Sequence, residues 1–244
     1  MGDIKAKRTL IVPDVHERMS QLTRILSQHL DQASRVVFLG DWFDTFAPYN
    51  IDRITAVCKF IVDSAEVLRD MSGRGVPVTH LLGNHDCHYA FADQKFQCSG
   101  YAARTKMAVD ALIPVDVWRK FHVFTKVGPY TVSHAGFCEH TLQYARPEIE
   151  REAIETALAG GFDLIFGAGH ARGGWLPFGG PTWLDWDYEF SHIPDVPQIV
   201  GHTPHRKVQS KGEKGQLQSW DLDTHSKHIA WVDEETGAVE VEAV

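Results

Sequence analysis

The sequence predicts an α/β fold, and three observations carry the prediction. Over the first third of the chain, apolar runs too short for helices alternate with segments whose apolar residues recur every three or four positions. The later part changes to a series of short strand-like runs with two helical segments among them. A length of 244 residues, 43% hydrophobic and 23% charged, suits one core, so residues 1–244 are read as a single domain.

Taken in order, residues 9–12 (TLIV) form a buried strand stopped by Pro13. Ser20 is placed to cap a helix carrying Leu22, Ile25, Leu26 and Leu30 on one stripe. Residues 36–39 (VVFL) form a second strand, stopped by Gly40. Asn50 can cap a longer helix with Ile51, Ile54, Cys58, Ile61, Val62, Ala65 and Leu68 on one stripe, closing near Gly73. Residues 76–82 give a third strand. Strand, helix, strand, helix, strand implies right-handed crossovers and a parallel sheet.

Residues 101–112 and 147–158 read as helices. Residues 122–125, 130–133, 198–200, 217–222 and 229–232 read as strands, and Thr236-Gly237 separates two alternating arms, as in a hairpin. No internal repeat or low-complexity segment is present. Residues 167–197, rich in Gly, Pro and Trp, read as a long irregular loop whose aromatics argue against disorder.

Composition excludes several classes of partner. Twenty-four basic against 32 acidic residues give a net charge of −8, which argues against nonspecific nucleic-acid or anionic-membrane binding. No stretch approaches the ~18–20 apolar residues of a membrane span. The apolar run before Pro13 is too short for a signal peptide, and Ala6 stands where a myristoylation signal wants Ser or Thr. Lys5, Lys7 and Arg8 read as a solvated basic start. Cys58, Cys87, Cys98 and Cys138 form no CxxC pair and read as reduced thiols, Cys87 as an inert packed one. A cytoplasmic location is expected.

The chemistry lies at the carboxyl end of each apolar run. Residues 10–13 lead to Asp14 and His16, residues 37–40 to Asp41 and Asp44, and residues 81–83 to Asn84, His85 and Asp86. Residues 130–133 lead to His134, and residues 199–201 to His202. The carboxyl ends of strands are where ligand sites form in open α/β sheets. Carboxylates, imidazoles and one amide, without a thiolate, suit Mn, Fe, Zn or Mg. A shared carboxylate would let two ions lie ~3.5–4 Å apart, the spacing used in phosphate ester displacement. Each fragment alone is weak, but five in order are specific.

Asp14-Val15-His16, Gly40-Asp41-Trp42-Phe43-Asp44, Gly83-Asn84-His85-Asp86, Ser133-His134-Ala135-Gly136 and Gly201-His202-Thr203-Pro204 together resemble the motifs of the calcineurin-like metallophosphoesterases. Their order is similar to the branch of serine/threonine protein phosphatases and symmetrical dinucleoside tetraphosphatases, and Leu222-Asp223-Thr224 looks like that branch's closing strand. The resemblance implies an α/β two-sheet β-sandwich flanked by helices. It implies one ion on Asp14 and His16, a second on Asn84, His134 and His202, and Asp41 bridging them. A hydroxide shared by the ions would attack phosphorus, His85 would protonate the leaving group, and Asp44 would orient His85. Manganese is the foremost cofactor, with iron, zinc, magnesium and nickel as alternatives.

The chain departs from the pattern in three places. Asp44 is followed by Thr45-Phe46, where the branch usually has Arg-Gly and uses the Arg to clamp phosphate. Pro13 and Glu17 stand where Gly is usual. Pro204 occupies the place of the second His of a Gly-His-x-His motif, and His205 comes one place too late, which favours the phosphatase-like branch over nuclease-like ones. Arg172, and after it Arg18, are the candidates for the missing clamp. His170 is a rival to His134 as ligand, since residues 162–166 resemble another apolar run. Trp175, Phe178, Trp183, Trp186, Tyr188 and Phe190 could stack an aromatic leaving group, although packing of the long loop is the more ordinary reading. His88 and Tyr89 are candidates for the rim of the site. The expected activity is hydrolysis of phosphate monoesters on a phosphoprotein or small phosphoester. The alternatives are a nucleotide or dinucleoside polyphosphate hydrolase and a noncatalytic scaffold that binds a phosphorylated partner.

Overall fold

The computed structural model describes residues 7–91 and 98–244, so Lys5 and Ala6 lie outside the described residues. The chain runs β1 (Arg8–Val12), α1 (Met19–His29), β2 (Arg35–Phe38), α2 (Ile51–Asp63), β3 (Val67–Arg69) and β4 (Gly75–His80). It continues through α3 (Asn84–Ala90), α4 (Ala103–Leu112), α5 (Val115–Trp118), β5 (Phe124–Val127), β6 (Tyr130–Ser133) and α6 (Pro147–Leu158). After two short 3-10 turns, at Leu164–Phe166 and His170–Arg172, the remaining elements are strands: β7 (Gln198–Val200), β8 (Gln209–Lys211), β9 (Ser219–Asp221), β10 (His228–Asp233) and β11 (Val239–Ala243).

These strands make two mixed sheets, in the orders β11-β10-β1-β2-β4-β3 and β5-β6-β7-β9-β8. β1 pairs in parallel with β2 and β2 with β4, as the alternating pattern predicts. Strand periodicity then decides the layering. Leu10, Val12, Val36 and Phe38 join the core beneath the helices, whereas Ile11, Val37 and Leu39 pack with Val132, Ile199 and Leu222 between the sheets. Both faces of these strands are covered, which is why they read as continuous apolar runs. The result is the expected two-sheet α/β sandwich flanked by helices.

Local differences from the sequence expectation have tertiary causes. Ser20 caps nothing: it lies inside α1, which begins at Met19, two residues earlier than a Ser20 cap would place it, with Arg18 as its uncapped first flank. The start is set by the preceding loop, where the amides of Val15 and His16 donate to the Asp41 carbonyl. Asn50 does cap α2, accepting from the Arg53 amide, but the helix ends at Asp63 rather than near Gly73. Val67, Leu68 and Arg69 instead pair with the otherwise open edge of β4. Residues 164–166 form a single 3-10 turn rather than a strand. The C-terminal hairpin of β10 and β11 forms as predicted. No helix among the described residues is long and apolar enough to cross a membrane.

Candidate metal centre

Because β1, β2 and β4 run in parallel, as do β6 and β7, their carboxyl ends deliver side chains to shared edges of the two sheets. His16, Asp41, Asn84, His85 and His202 line one cavity of about 270 Å³. Two groups of candidate metal ligands result. Asp14, His16 and Asp41 form one, and Asp41, His134 and His202 the other, with the ligand atoms of each group within 4.8 Å of one another. Asn84 extends the second group, its Oδ1 lying 3.0 Å from His134 Nε2. Asp41 belongs to both groups.

Backbone carbonyls fix which imidazole nitrogens face inward. His134 Nδ1 donates to the Leu39 carbonyl at 2.8 Å, and His16 Nδ1 to the Phe43 carbonyl at 2.8 Å. Each Nε2 is thereby left with a lone pair toward Asp41, at 3.4 Å from Asp41 Oδ2 for His134 and 3.8 Å for His16. His202 Nδ1 lies 3.2 Å from His134 Nε2. Lone-pair atoms converging in a buried space repel unless a positive charge joins them, and this donor set of oxygen and imidazole nitrogen fits a divalent cation.

The electrostatics express the same crowding. Burial, then the neighbouring carboxylates of Asp223 and Asp41, hold the Asp14 carboxyl well above its usual range. Burial pushes Asp41 up as well, but His134, His85 and His16 outweigh it and keep Asp41 well below the ordinary carboxylate range. Burial disfavours a charged His134, yet Asp41 overrides it and raises the imidazole to about 10. A proton on His134 is thus the other way to neutralise this cluster. His202 is pushed far down, by burial first and then by Arg172 and His134.

The backbone at these positions is unusual. His16, Asp41, Asp44 and His202 all adopt left-handed φ angles, of 43°, 49°, 64° and 74°. Such non-glycine residues cost about 1–3 kcal/mol each and cluster at functional sites. Two motif glycines have a steric reason: a Cβ on Gly83 would collide with Asp41 Oδ1, and one on Gly201 with Asp14 Oδ1. Glu17 also keeps a left-handed φ, of 60°, where the family usually has Gly, and pairs with Arg53.

His85 stands beside the ligand groups, 14% exposed at its side chain. Its Nδ1 lies 2.8 Å from Asp44 Oδ2, and the Tyr89 hydroxyl donates to Asp44 Oδ1. Burial alone would depress the His85 pKa, but Asp41 and then Asp44 outweigh it and raise it. Asp86 ties the loops together, accepting from the amides of Asp41, Trp42 and Gly83 at 2.8–2.9 Å.

Arg172 and Arg18 both line the cavity. Arg172 Nε lies 2.7 Å from Asp185 Oδ2, and its Nη2 donates to Thr203 Oγ1 at 2.7 Å. Arg18 donates to Ser226 Oγ at 3.1 Å. His170 is exposed and outside both ligand groups, so it is no rival to His134. His205 turns instead to Asp221 and Asp187. His88 and Tyr89 are buried and do not form a rim. Of the loop aromatics, Trp183 reaches the cavity; Trp186 and Phe190 stack on each other and pack into a small core, while Trp175 and Tyr188 are exposed. Cys87 is fully buried, and burial raises its thiol pKa.

Sequence reasoning gave no site role to Cys98 beside Asn84 or to Asp223 and His225 on the cavity wall, and it placed Tyr89 on the rim rather than on Asp44. Only Asp223 left a signal, an acidic residue directly after the apolar run that ends at Leu222.

The family model for calcineurin-like phosphoesterases matches residues 7–206, and the chain belongs to that family. It is a metal-dependent phosphoesterase, a hydrolase. In fold it is similar to a point mutant of a cold-active protein tyrosine phosphatase, with a TM-score of 0.62 and 15% identity over 98% of this chain and 78% of that one. The cold-active protein-tyrosine phosphatase of a psychrophilic Shewanella species gives a TM-score of 0.59 and 14% identity over 97% and 80%. A serine/threonine phosphatase from Saccharomyces cerevisiae, described as similar to human PP5, gives 0.50 and 12% over 100% and 82%. No curated protein sequence matches this chain at a significant level.

Proposed function

We propose that the chain, acting as a single domain, hydrolyses phosphate monoesters with two divalent ions, manganese foremost, and that phosphorylated proteins are its substrate class. The observation that carries this reading is the His85–Asp44 pair at 2.8 Å, set in the same cavity as an Asp41 shared by two ligand groups. Asp14 and His16 would hold one ion, and Asn84, His134 and His202 the other, with Asp41 common to both. Bound ions would supply Lewis acidity toward the phosphoryl oxygens and an activated water.

The chain's own groups do the rest. Asp44 accepts from His85 Nδ1, so His85 presents Nε2–H to the leaving oxygen as general acid. Tyr89 fills the other Asp44 oxygen and fixes the carboxylate plane. Arg172, held by Asp185 and Thr203, is the clamp for the nonreacting phosphoryl oxygens, with Arg18 second. Four buried free cysteines support a reducing compartment, and the cytoplasm is the proposed location.

The test is a substrate panel with metal content measured on the same preparation. It comprises p-nitrophenyl phosphate, phosphoserine, phosphothreonine and phosphotyrosine peptides, and a dinucleoside tetraphosphate. Phosphopeptide turnover is expected. Turnover of the tetraphosphate alone would favour the polyphosphate hydrolase. Full metal loading without hydrolysis of any monoester or of the tetraphosphate would favour the scaffold.

A further inference from the structure

Asn84 occupies a chemically ambiguous position. A primary amide has an acceptor end and a donor end of nearly the same shape, and only Oδ1 can serve a cation. Nothing in the Asn84 side chain itself selects the orientation. The residue opens α3 and is buried, with its amide between His134 on one side and Cys98 on the other.

We propose that Cys98 is a positioning residue for the second metal ion, its sulfur accepting from Asn84 so that Oδ1 faces the ligand group. This inference rests on the two-ion reading above. Asn84 Nδ2 lies 2.9 Å from Cys98 Sγ, while Oδ1 lies 3.0 Å from His134 Nε2. The sulfur also lies 3.1 Å from His88 Nδ1. That nitrogen is 2.9 Å from the Asn84 carbonyl, which can only accept, so His88 Nδ1 carries its proton. Cys98 Sγ therefore faces two N–H groups and acts as an acceptor toward both.

Turning the amide over would break the contact of Nδ2 with Sγ and aim an NH2 group, in place of Oδ1, at the position a cation would share with His134. Holding Nδ2 on the buried sulfur therefore favours the orientation in which Oδ1 faces the ligand group. Cys98 is itself fixed. It is 6% exposed and packs with Ala168 and Trp183, which belong to the long loop following α6. The loop thereby reaches the metal centre through one sulfur, a role with no trace in the spacing of the cysteines.

The test is Mn2+ binding to metal-stripped full-length protein, by calorimetry and equilibrium dialysis, in the wild type, Cys98→Ala, Cys98→Val and Cys98→Ser. Wild type is expected to bind two ions. Loss of an outer hydrogen-bond partner of a ligand typically weakens metal by about 10–100-fold. Cys98→Ala and Cys98→Val should show that loss at one of the two ions only, and Cys98→Ser, which keeps an acceptor, should recover to within about threefold of wild type. Cys98→Val keeps the bulk of the side chain, so it serves if the smaller variant does not fold. Wild-type affinity for both ions in Cys98→Val, or equal losses in the Val and Ser variants, would overturn the proposal. Wild-type protein that binds fewer than two ions would overturn the dinuclear reading itself, and this inference with it.

Discussion

The two ligand groups share Asp41 but differ in almost everything else. Asp14 and His16 come from one loop, after β1, and Asp223 adds a further carboxylate beside Asp14. This group is carboxylate-rich and opens to solvent through His16, whose side chain is 19% exposed. The other group draws on β6, β7 and the start of α3. It is imidazole-rich, and the His134 side chain has no exposure at all. A backbone carbonyl holds Nδ1 of His16 in one group and of His134 in the other, so these two ligands are aimed alike and differ in access and charge. An open, anionic group favours exchange, and a closed, largely neutral one favours retention.

The largest expected effect comes from removing what the groups share. Asp41→Ala should lose both ions together and reduce hydrolysis to background, as measured by metal analysis on the purified variant. His16→Ala should release the ion of the open group alone, and His134→Ala that of the closed group alone. Full occupancy in Asp41→Ala would refute the shared role, and identical losses in the two histidine variants would erase the distinction between the groups.

His85 belongs to neither group. His85→Asn should therefore keep both ions and lower kcat by about 10²–10⁴-fold, the usual contribution of a general acid. The loss should be smallest for p-nitrophenyl phosphate, whose leaving group needs little protonation. An equal loss on every substrate would point to a structural role for the ring.

Much of this was legible because strands with two buried faces announce themselves locally. The apolar runs ending at Val12, Leu39 and Val200 placed Asp14, Asp41 and His202 at strand ends without any knowledge of tertiary contacts. The resemblance then supplied the roles. What escaped depends on residues far apart in sequence or on the backbone itself. Tyr89 meets Asp44 across 45 positions, and the left-handed φ angles of His16 and His202 are imposed by the packed edge. The same limit explains the helix ends. Asn50 caps through a residue three places on, which is local, but α1 starts where the Asp41 carbonyl anchors its approach and α2 stops where β4 needs an edge partner.

Below the metal groups, the first sheet carries an acid-sensitive residue. His80 in β4 stacks between Phe38 and Phe121, at 5.1 and 5.0 Å, and donates through Nε2 to the Ser64 carbonyl at 3.0 Å. Burial lowers its pKa to about 4. Its folded pKa lies below the unfolded value of ~6.5, so the unfolded chain binds the extra proton between those limits. The stability tied to the neutral ring is fully present above pH ~6.5 and is lost as pH falls toward 4, by about 3 kcal/mol. Urea unfolding of metal-free protein at pH 7.5 and 4.5 should show the loss, and His80→Phe should remove most of it. An unchanged pH dependence in His80→Phe would place the acid sensitivity elsewhere, with His88, whose pKa burial lowers, and Asp41, held below the ordinary carboxylate range by its histidine neighbours, the next groups to examine.

The smallest effect separates the two sides of the cavity by their arginines. Arg18 follows β1 and belongs to the open side, while Arg172 is braced on the closed side by Asp185 and by Thr203, the neighbour of His202. The bracing fixes the guanidinium in advance, so little freedom is lost when it meets a phosphoryl group. Arg172→Ala should leave metal content unchanged and lower kcat/KM at least about tenfold, near 1.5 kcal/mol. Arg172→Lys should recover little, because an ammonium cannot reproduce the two-pronged contact. Arg18→Ala should cost less, since a single bond to Ser226 leaves its guanidinium less constrained. A larger loss in Arg18→Ala would move the clamp to the open side, and a change below about twofold in both variants would leave the ions alone to hold the phosphate.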